Sequence, residues 1–506
     1  MPRPILLCGA LIAAAVALIP LVYLGVRVAE AGGERIAEEL FTERVAVLAV
    51  RSLGLAAVVT AACVLLGVAT AFLVTRTDLP ARRAFTVLAA LPLAVPTYIA
   101  AFTWVSSMRE FEGFWAAALV LTACSYPYVF LPVAAALTGA DAAAEEVSRS
   151  LGRGPWRTFR AVTLRQIRPA VAGGALLVAL YVLSDFGAVS ILRTDTFTRA
   201  IFVAFNMGFD RTGALVLSSV LVVLTVLLLT GESATRRRHE RYAPLGGARR
   251  RANPIGLGPW RWVAATGLLG VAAVALGVPA VSLTGRLLEG TSRPEWIDLV
   301  TAAGNSLWLS AAGAALTLAL ALPLGLLVAR APGRLSAVLE RLSYLAHALP
   351  GIVVGLSLVF FGINVAFALY QTAWLLALGY AVLFLPLALT AVIGAAAQSP
   401  PALEQVAASL GRGRLSVLRT VTLPLTLPGI GAGAALVFLT CMKELPATLL
   451  LRPTGVDTLA TELWTKTTVA AYAAAAPSAA LLVALSAIPT WLIASRTGIL
   501  DKNGPA

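Results

Sequence analysis

Ala144-Glu145-Glu146-Val147-Ser148-Arg149-Ser150-Leu151-Gly152-Arg153-Gly154 is a polar island in a very apolar chain, and the chain contains it twice. The second copy reads Leu403-Glu404-Gln405-Val406-Ala407-Ala408-Ser409-Leu410-Gly411-Arg412-Gly413. Both copies run on through Val162-Thr163-Leu164 or Val421-Thr422-Leu423 to a proline, Pro169 or Pro428, at one constant offset of 259 residues. A gapless match at fixed offset is an internal repeat, which sets the architecture before any local reading. Upstream, Pro96 pairs with Pro350 and Phe130-Leu131-Pro132 with Phe384-Leu385-Pro386 at an offset of 254 residues, so the second half gains five residues before its island.

The rest of the chain is membrane-like. Of 506 residues, 59% are hydrophobic and 13% charged, against roughly 25% charge in soluble domains. Twelve apolar stretches approach the roughly 20 residues a spanning helix needs: 5–27, 46–74, 84–107, 115–138, 169–192, 212–231, 262–284, 303–329, 343–364, 372–395, 429–451 and 475–495. The first has a cleavage-like Ala29-Glu30-Ala31 behind it. Its apolar run exceeds the roughly 7–15 residues of a signal-peptide core, so it reads as a retained span. Placing the N-terminus inside puts 26 of the 39 basic residues in cytoplasmic segments. The basic excess is therefore a signature of membrane orientation and implies no nucleic-acid partner.

This predicts an all-α polytopic membrane protein of about 12 transmembrane helices. A first half, 1–235, and a second, 259–506, carry six spans each and flank a basic cytoplasmic linker, 236–258. An even number of spans per half makes the halves parallel, related by a pseudo-two-fold axis along the membrane normal. Both termini fall in the cytoplasm. The islands, 141–169 and 400–428, lie on the same side.

Each island reads as helix, Gly turn, helix. Asp141 and Ser399 are placed to cap, Pro400 and Pro155 suit first helical turns, and early Glu suits the helix dipole. Gly152 and Gly411 fall where a left-handed C-cap belongs. Pro169 and Pro428 then open the next spans. Two such islands at a fixed offset point to a docking surface for a soluble partner.

The pattern Glu-x-x-x-x-Leu-Gly followed by an apolar-Thr-Leu-Pro run resembles the cytoplasmic EAA loop of permease subunits of bacterial ABC importers. The resemblance covers nearly the whole chain, as two fused permease halves, and implies the type I ABC importer permease fold. It also implies that each loop forms a coupling helix seated in a cleft of an ATPase. Coupling residues are then Glu145, Glu146, Gly152, Glu404, Gln405 and Gly411, with the family's Glu falling by Gly register on Glu146 and Gln405. The first copy departs from the pattern, with Arg165 where the second has Pro424. The expected partners are two ATPase copies inside, a substrate-binding protein outside, and membrane lipid, in a bacterial inner membrane. Phosphate binding by a P-loop needs Gly-x-x-x-x-Gly-Lys-Ser/Thr, and none of Lys443, Lys466 and Lys502 follows a Gly. The chain is thus expected to be no enzyme and to bind no cofactor, with ATP and Mg used by the partner.

Ser184-Asp185-Phe186-Gly187 and Lys443-Glu444-Leu445-Pro446 interrupt the fifth and eleventh spans at one repeat position. These stretches resemble those of ferric-iron permeases of the fused type. Related permeases for thiamine, phosphonate, sulfate, molybdate or polyamines share the fold and the island. Ionisable residues inside spans are costly and face a cavity or a partner. Asp185, Glu444 and Lys443 are therefore candidates for the translocation path, since ferric iron favours oxygen ligands. The structural alternative has Glu444 paired with Lys443 or an Arg, Asp185 satisfying backbone near Gly187, and Pro446 marking a broken helix. Outer-side acids Glu110, Glu112, Glu289, Glu295 and Asp298 are candidates to meet a binding protein. His239 and His347 lack the company of a metal site. The rival readings are a 12-span secondary transporter, which needs no repeated island, and a membrane enzyme, which needs a catalytic cluster.

Overall fold

The computed structural model describes residues 3–108, 110–139, 142–206, 208, 210–237, 254–289, 296–345, 349–398 and 401–496. Secondary structure among them is helical, apart from one isolated bridge between Thr77 and Ile255. Among the described residues, nine helices are long and apolar enough to cross a membrane, and a bent pair, Arg82–Ala94 with Thr97–Ser107, adds a tenth. Three shorter apolar helices, Phe197–Asn206, Gly351–Asn364 and Tyr472–Ser486, lie beside them among the described residues.

Breaks fall where the sequence withdraws helix geometry. Between Arg82–Ala94 and Thr97–Ser107 the chain turns by 91°. Pro96 pushes the preceding Val95 out of the helical region, to φ −89° and ψ 117°. Pro96 and Pro350 occupy equivalent caps with nearly equal dihedrals, φ −59° in both and ψ 139° and 145°. The expected openings at Pro169 and Pro428 are corrected. Both prolines lie inside helices, Leu164–Ser184 and Leu423–Lys443, each of which continues a π-turn, Phe159–Thr163 or Leu418–Thr422. An apolar setting tolerates such prolines, because neighbouring helices and local π adjustments satisfy the freed backbone groups. Caps hold other starts, as where Thr42 Oγ1 accepts the Val45 N–H at 3.3 Å.

Packing divides the chain into two compact units. One comprises Phe41–Ala200 and Val223–Glu289. There Glu43–Arg76, Pro127–Thr138 and Leu164–Ser184 pack together. Gly174 permits the approach, because a Cβ on it would lie 2.8 Å from the Val129 Cα. The Trp260–Leu288 span belongs to this unit, with Ser282 Oγ donating to the Thr103 carbonyl at 2.8 Å. The other unit comprises Met1–Leu40, Ile201–Val222 and Gly290–Ala506. Its centre is Trp296–Arg330 against Ala373–Gln398 and Leu423–Lys443. The first helix, Arg3–Ala31, packs here, with Tyr23 edge-on to Phe361 at 6.2 Å. In each unit, then, the leading span comes from the other sequence repeat.

Candidate functional site: two islands and two broken helices

In the first island the helix Ala142–Ser150 ends in a glycine turn. Gly152 has φ +79°, its N–H donates to the Arg149 carbonyl at 2.9 Å, and Arg153 N–H donates to the Ser148 carbonyl at 3.3 Å. The second island, Pro401–Ser409, repeats this. Gly411 has φ +80°, with Gly411 N–H on Ala408 at 3.0 Å and Arg412 N–H on Ala407 at 3.2 Å. Both are Schellman caps, in which a left-handed residue lets two N–H groups close the helix end. The expected caps Asp141, Ser399 and Pro400 lie outside the described residues, as do His239, His347 and Glu295.

The glutamates divide by face. Glu145 is buried, with its Oε1 3.3 Å from Arg76 Nη2 and accepting from Thr163 Oγ1 at 2.9 Å, while Arg149 approaches Oε2 at 3.8 Å. Glu404 Oε1 lies 2.7 Å from Arg330 Nη2. Arg76 and Arg330 end the helices Glu43–Arg76 and Trp296–Arg330 and are equivalent at the 254-residue offset. Each island is thus pinned by its inward glutamate to the last residue of a long span. Glu146 and Gln405, where the resemblance put the family's Glu, are exposed. Beside them Val147, Leu151, Val406 and Leu410 are 56–75% exposed, an apolar stripe repeated in both islands. Sequence reasoning missed Arg76 and Arg330, although the 254-residue repeat offset that pairs them was readable.

The islands differ beneath that surface. Ser148 Oγ lies 3.2 Å from Thr158 Oγ1 in the first. The same positions in the second are Ala407 and Val417, both buried. A polar clasp in one copy is replaced by two buried apolar residues in the other.

The broken helices are also equivalent. Asp185 and Glu444 end the helices before them with near-identical dihedrals, φ −65° and ψ 128° against φ −72° and ψ 123°. Asp185 Oδ1 accepts N–H bonds from Ala188 at 3.0 Å and Val189 at 3.2 Å, and Oδ2 accepts from Thr97 Oγ1 at 2.6 Å. Glu444 accepts from Ala447 N–H at 2.8 Å and Leu445 N–H at 3.0 Å. Gly351, the repeat equivalent of Thr97, lies so close that a Cβ there would sit 2.7 Å from Glu444 Oε1. Each carboxylate therefore caps the short helix that follows, Gly187–Ile191 or Pro446–Leu451, and touches the helix after the Pro96 or Pro350 break. The alternative pairing of Glu444 with Lys443 or an Arg is corrected, since no such ion pair exists among the described residues. Lys443 stands in the last helical turn, where the helix dipole favours a cation. Among the acids expected on the outer side, Glu112 pairs with Arg193 at 3.3 Å and Glu289 with Arg286 at 2.9 Å.

Comparison with known proteins also finds a unit present in two copies. The family described as "Binding-protein-dependent transport system inner membrane component" matches twice, over residues 63–231 and 321–496. The Fe(3+)-transport system permease protein FbpB 2 of Haemophilus influenzae is 39% identical over 479 residues, 94% of this chain and 95% of that protein. The molybdenum transport system permease protein ModB of Mycobacterium tuberculosis is 30% identical over 47% of this chain and 95% of its own length. The sulfate transport system permease protein CysT of Escherichia coli is 29% identical over 35% of this chain and 70% of its own length. With the family's domain present twice and an island in each copy, the chain belongs to the binding-protein-dependent transport system inner membrane components, as a fused, two-repeat ABC importer permease.

Proposed function

We propose that this chain forms the translocation path for ferric iron, delivered by a binding protein and driven by two copies of a separate ATPase. The substrate reading leans on the relative matched along almost its whole length, whose name assigns it Fe(3+) transport. The docking reading rests on one observation, the apolar stripe Val147, Leu151, Val406 and Leu410 left open on two identically capped islands. Exposed apolar surface rimmed by polar residues marks a protein interaction site. The islands enter clefts of the ATPases, which bind ATP and Mg. Closure of the ATPases moves the islands, and Glu145–Arg76 and Glu404–Arg330 pass the movement to the spans. The chain itself holds no cofactor and catalyses no reaction.

Both islands and both termini face the cytoplasm in this reading. In a background without native cysteines, single cysteines at Arg153 and Arg412 resist a membrane-impermeant thiol reagent in intact cells, and one at Glu112 reacts. Labelling of either island from outside overturns the orientation.

The substrate test uses vesicles holding the chain and its ATPase, with the binding protein outside. ATP-dependent Fe(3+) accumulation is expected, and accumulation of sulfate or molybdate instead displaces iron. The same vesicles separate two roles for the carboxylates. Asp185→Asn keeps one oxygen for both backbone N–H groups, which share Oδ1. Glu444→Gln keeps an acceptor for only one of the Ala447 and Leu445 N–H groups, which use different oxygens, so folded yield is read beside uptake. If the two charges also line the route of the trivalent cation, the double mutant loses more uptake than either single one. Full uptake by a well-folded double mutant restricts both residues to capping.

A further inference from the structure

Arg76 has a second attachment besides its side chain. It ends the helix Glu43–Arg76, so its carbonyl is one of the helix-end oxygens that no later turn satisfies. The N–H of Ile255 donates to that carbonyl at 2.8 Å. The Ile255 carbonyl in turn accepts the Asp78 N–H at 3.1 Å, which sets Thr77 and Ile255 in a parallel bridge. Asp78 Oδ1 then accepts the N–H of Leu257 at 2.8 Å. Apolar packing continues beyond it, since Val74, Leu79 and Phe85 form one buried cluster with Ala265 of the Trp260–Ala272 helix.

Residues 254–257 are the end of the basic stretch joining the two repeats. The covalent connection between the repeats is therefore strapped to the backbone of the residue whose guanidinium holds Glu145. The second repeat cannot build the same strap. At the offset of 254 residues Asp78 corresponds to Pro332, which has neither an N–H to donate nor a carboxylate to accept.

We propose that Asp78 is a positioning residue for energy coupling. By clamping the inter-repeat strap at Ile255 and Leu257, it fixes the end of the Glu43–Arg76 helix and so sets where Arg76 holds the first island. Coupling through the first island then depends on the connection between repeats, and coupling through the second does not. The inference rests on the docking reading above.

The test uses the full complex in vesicles, with chain, ATPase and Fe(3+)-loaded binding protein, and reads iron transported per ATP hydrolysed. Asp78→Ala removes the acceptor for Leu257 and lowers that ratio by a factor of about 5 or more, the scale of a modest coupling free energy. Asp78→Asn keeps an acceptor oxygen and stays within about twofold of the wild type on the same scale. Ile255→Pro deletes the N–H that reaches the Arg76 carbonyl and gives the same uncoupling, which keeps the idea testable if Asp78→Ala does not fold. Amide exchange at Leu257 is slow in the wild type and in Asp78→Asn, and fast in Asp78→Ala. Gly152→Val is the control for the docking reading. If Gly152→Val uncouples while Asp78→Ala and Ile255→Pro stay fully coupled, the strap inference fails alone. If Gly152→Val stays coupled, the docking reading fails and takes the strap with it. Equal damage by Asp78→Ala and Asp78→Asn also overturns the inference, because the hydrogen-bond acceptor would then not be what matters.

Discussion

Valine at both Gly152 and Gly411 abolishes transport-linked ATP hydrolysis while leaving the protein folded and inserted. Both glycines sit at left-handed backbone angles, φ +79° and +80°. A Cβ built on either meets nothing within 4 Å, so packing does not oppose a side chain. The penalty is conformational, roughly 1–2 kcal/mol for an L residue in this region, and larger for a β-branched one. That is too little to unfold a membrane protein of this size. It is enough to make the last turn of each island unwind, because the cheapest relief is to give up the two Schellman bonds at Arg149 and Ser148, or at Ala408 and Ala407. Leu151 and Leu410 immediately precede those glycines and carry the most exposed part of the stripe. Asparagine tolerates the left-handed region better than other side chains, so Gly152→Asn with Gly411→Asn retains most coupled hydrolysis. The measurement is ATP hydrolysis stimulated by loaded binding protein in vesicles. Normal stimulation in the double valine mutant, or equal loss in the asparagine pair, would sink the idea that these turns hold the coupling surface.

Sequence reading reached this turn because its signal is local and repeated. A glycine after an Ala-rich run states its own backbone geometry, and a second copy at a fixed offset removes chance. The broken helices at Asp185 and Glu444 were legible to the same degree, since a carboxylate next to Gly187 or Pro446 announces freed backbone groups. What escaped was whatever depended on pairing distant residues. Arg76 and Arg330 look like ordinary positive-inside charges at span ends, and nothing in their neighbourhood says that each reaches an island glutamate. The family pattern drew attention to Glu146 and Gln405, whereas burial selects Glu145 and Glu404, one residue earlier. A one-residue shift turns a helix by 100°, which decides between core and partner. The prolines misled for a related reason. Pro169 and Pro428 read as helix openers from water-soluble rules, but the helices that begin at Leu164 and Leu423 run through them, as spanning helices tolerate. The exchange of leading spans between the packing units left no trace in the sequence, because both Arg3–Ala31 and Trp260–Leu288 are simply apolar.

Burial of the first ion pair makes the two islands unequal in stability, and this gives the second large effect. Arg76 and Glu145 are 6% and 8% exposed at their side chains, against 19% and 24% for Arg330 and Glu404. Removing one partner of a buried pair strands the other charge, at about 3–5 kcal/mol, whereas water screens much of the loss at a partly exposed pair. Glu145→Ala therefore lowers the thermal unfolding midpoint of the purified protein clearly more than Glu404→Ala does. Glu145→Ala also deprives Thr163 Oγ1 of its acceptor, which adds to the difference. Charge burial makes a further demand that a simple loss of contacts would not. Replacing both partners by apolar residues of similar volume removes the stranded charge, so Arg76→Met with Glu145→Leu recovers much of the stability lost in Glu145→Ala. Coupling does not recover with it, because a flexible apolar contact holds the island less rigidly than a paired guanidinium and carboxylate. Thermal unfolding and iron transported per ATP, measured on the same variants, should thus separate. Stability returns in the double mutant while the transport ratio stays low. If the Glu145→Ala and Glu404→Ala midpoints coincide, or if the double mutant is as unstable as Glu145→Ala, the pair is not the buried anchor of the first island.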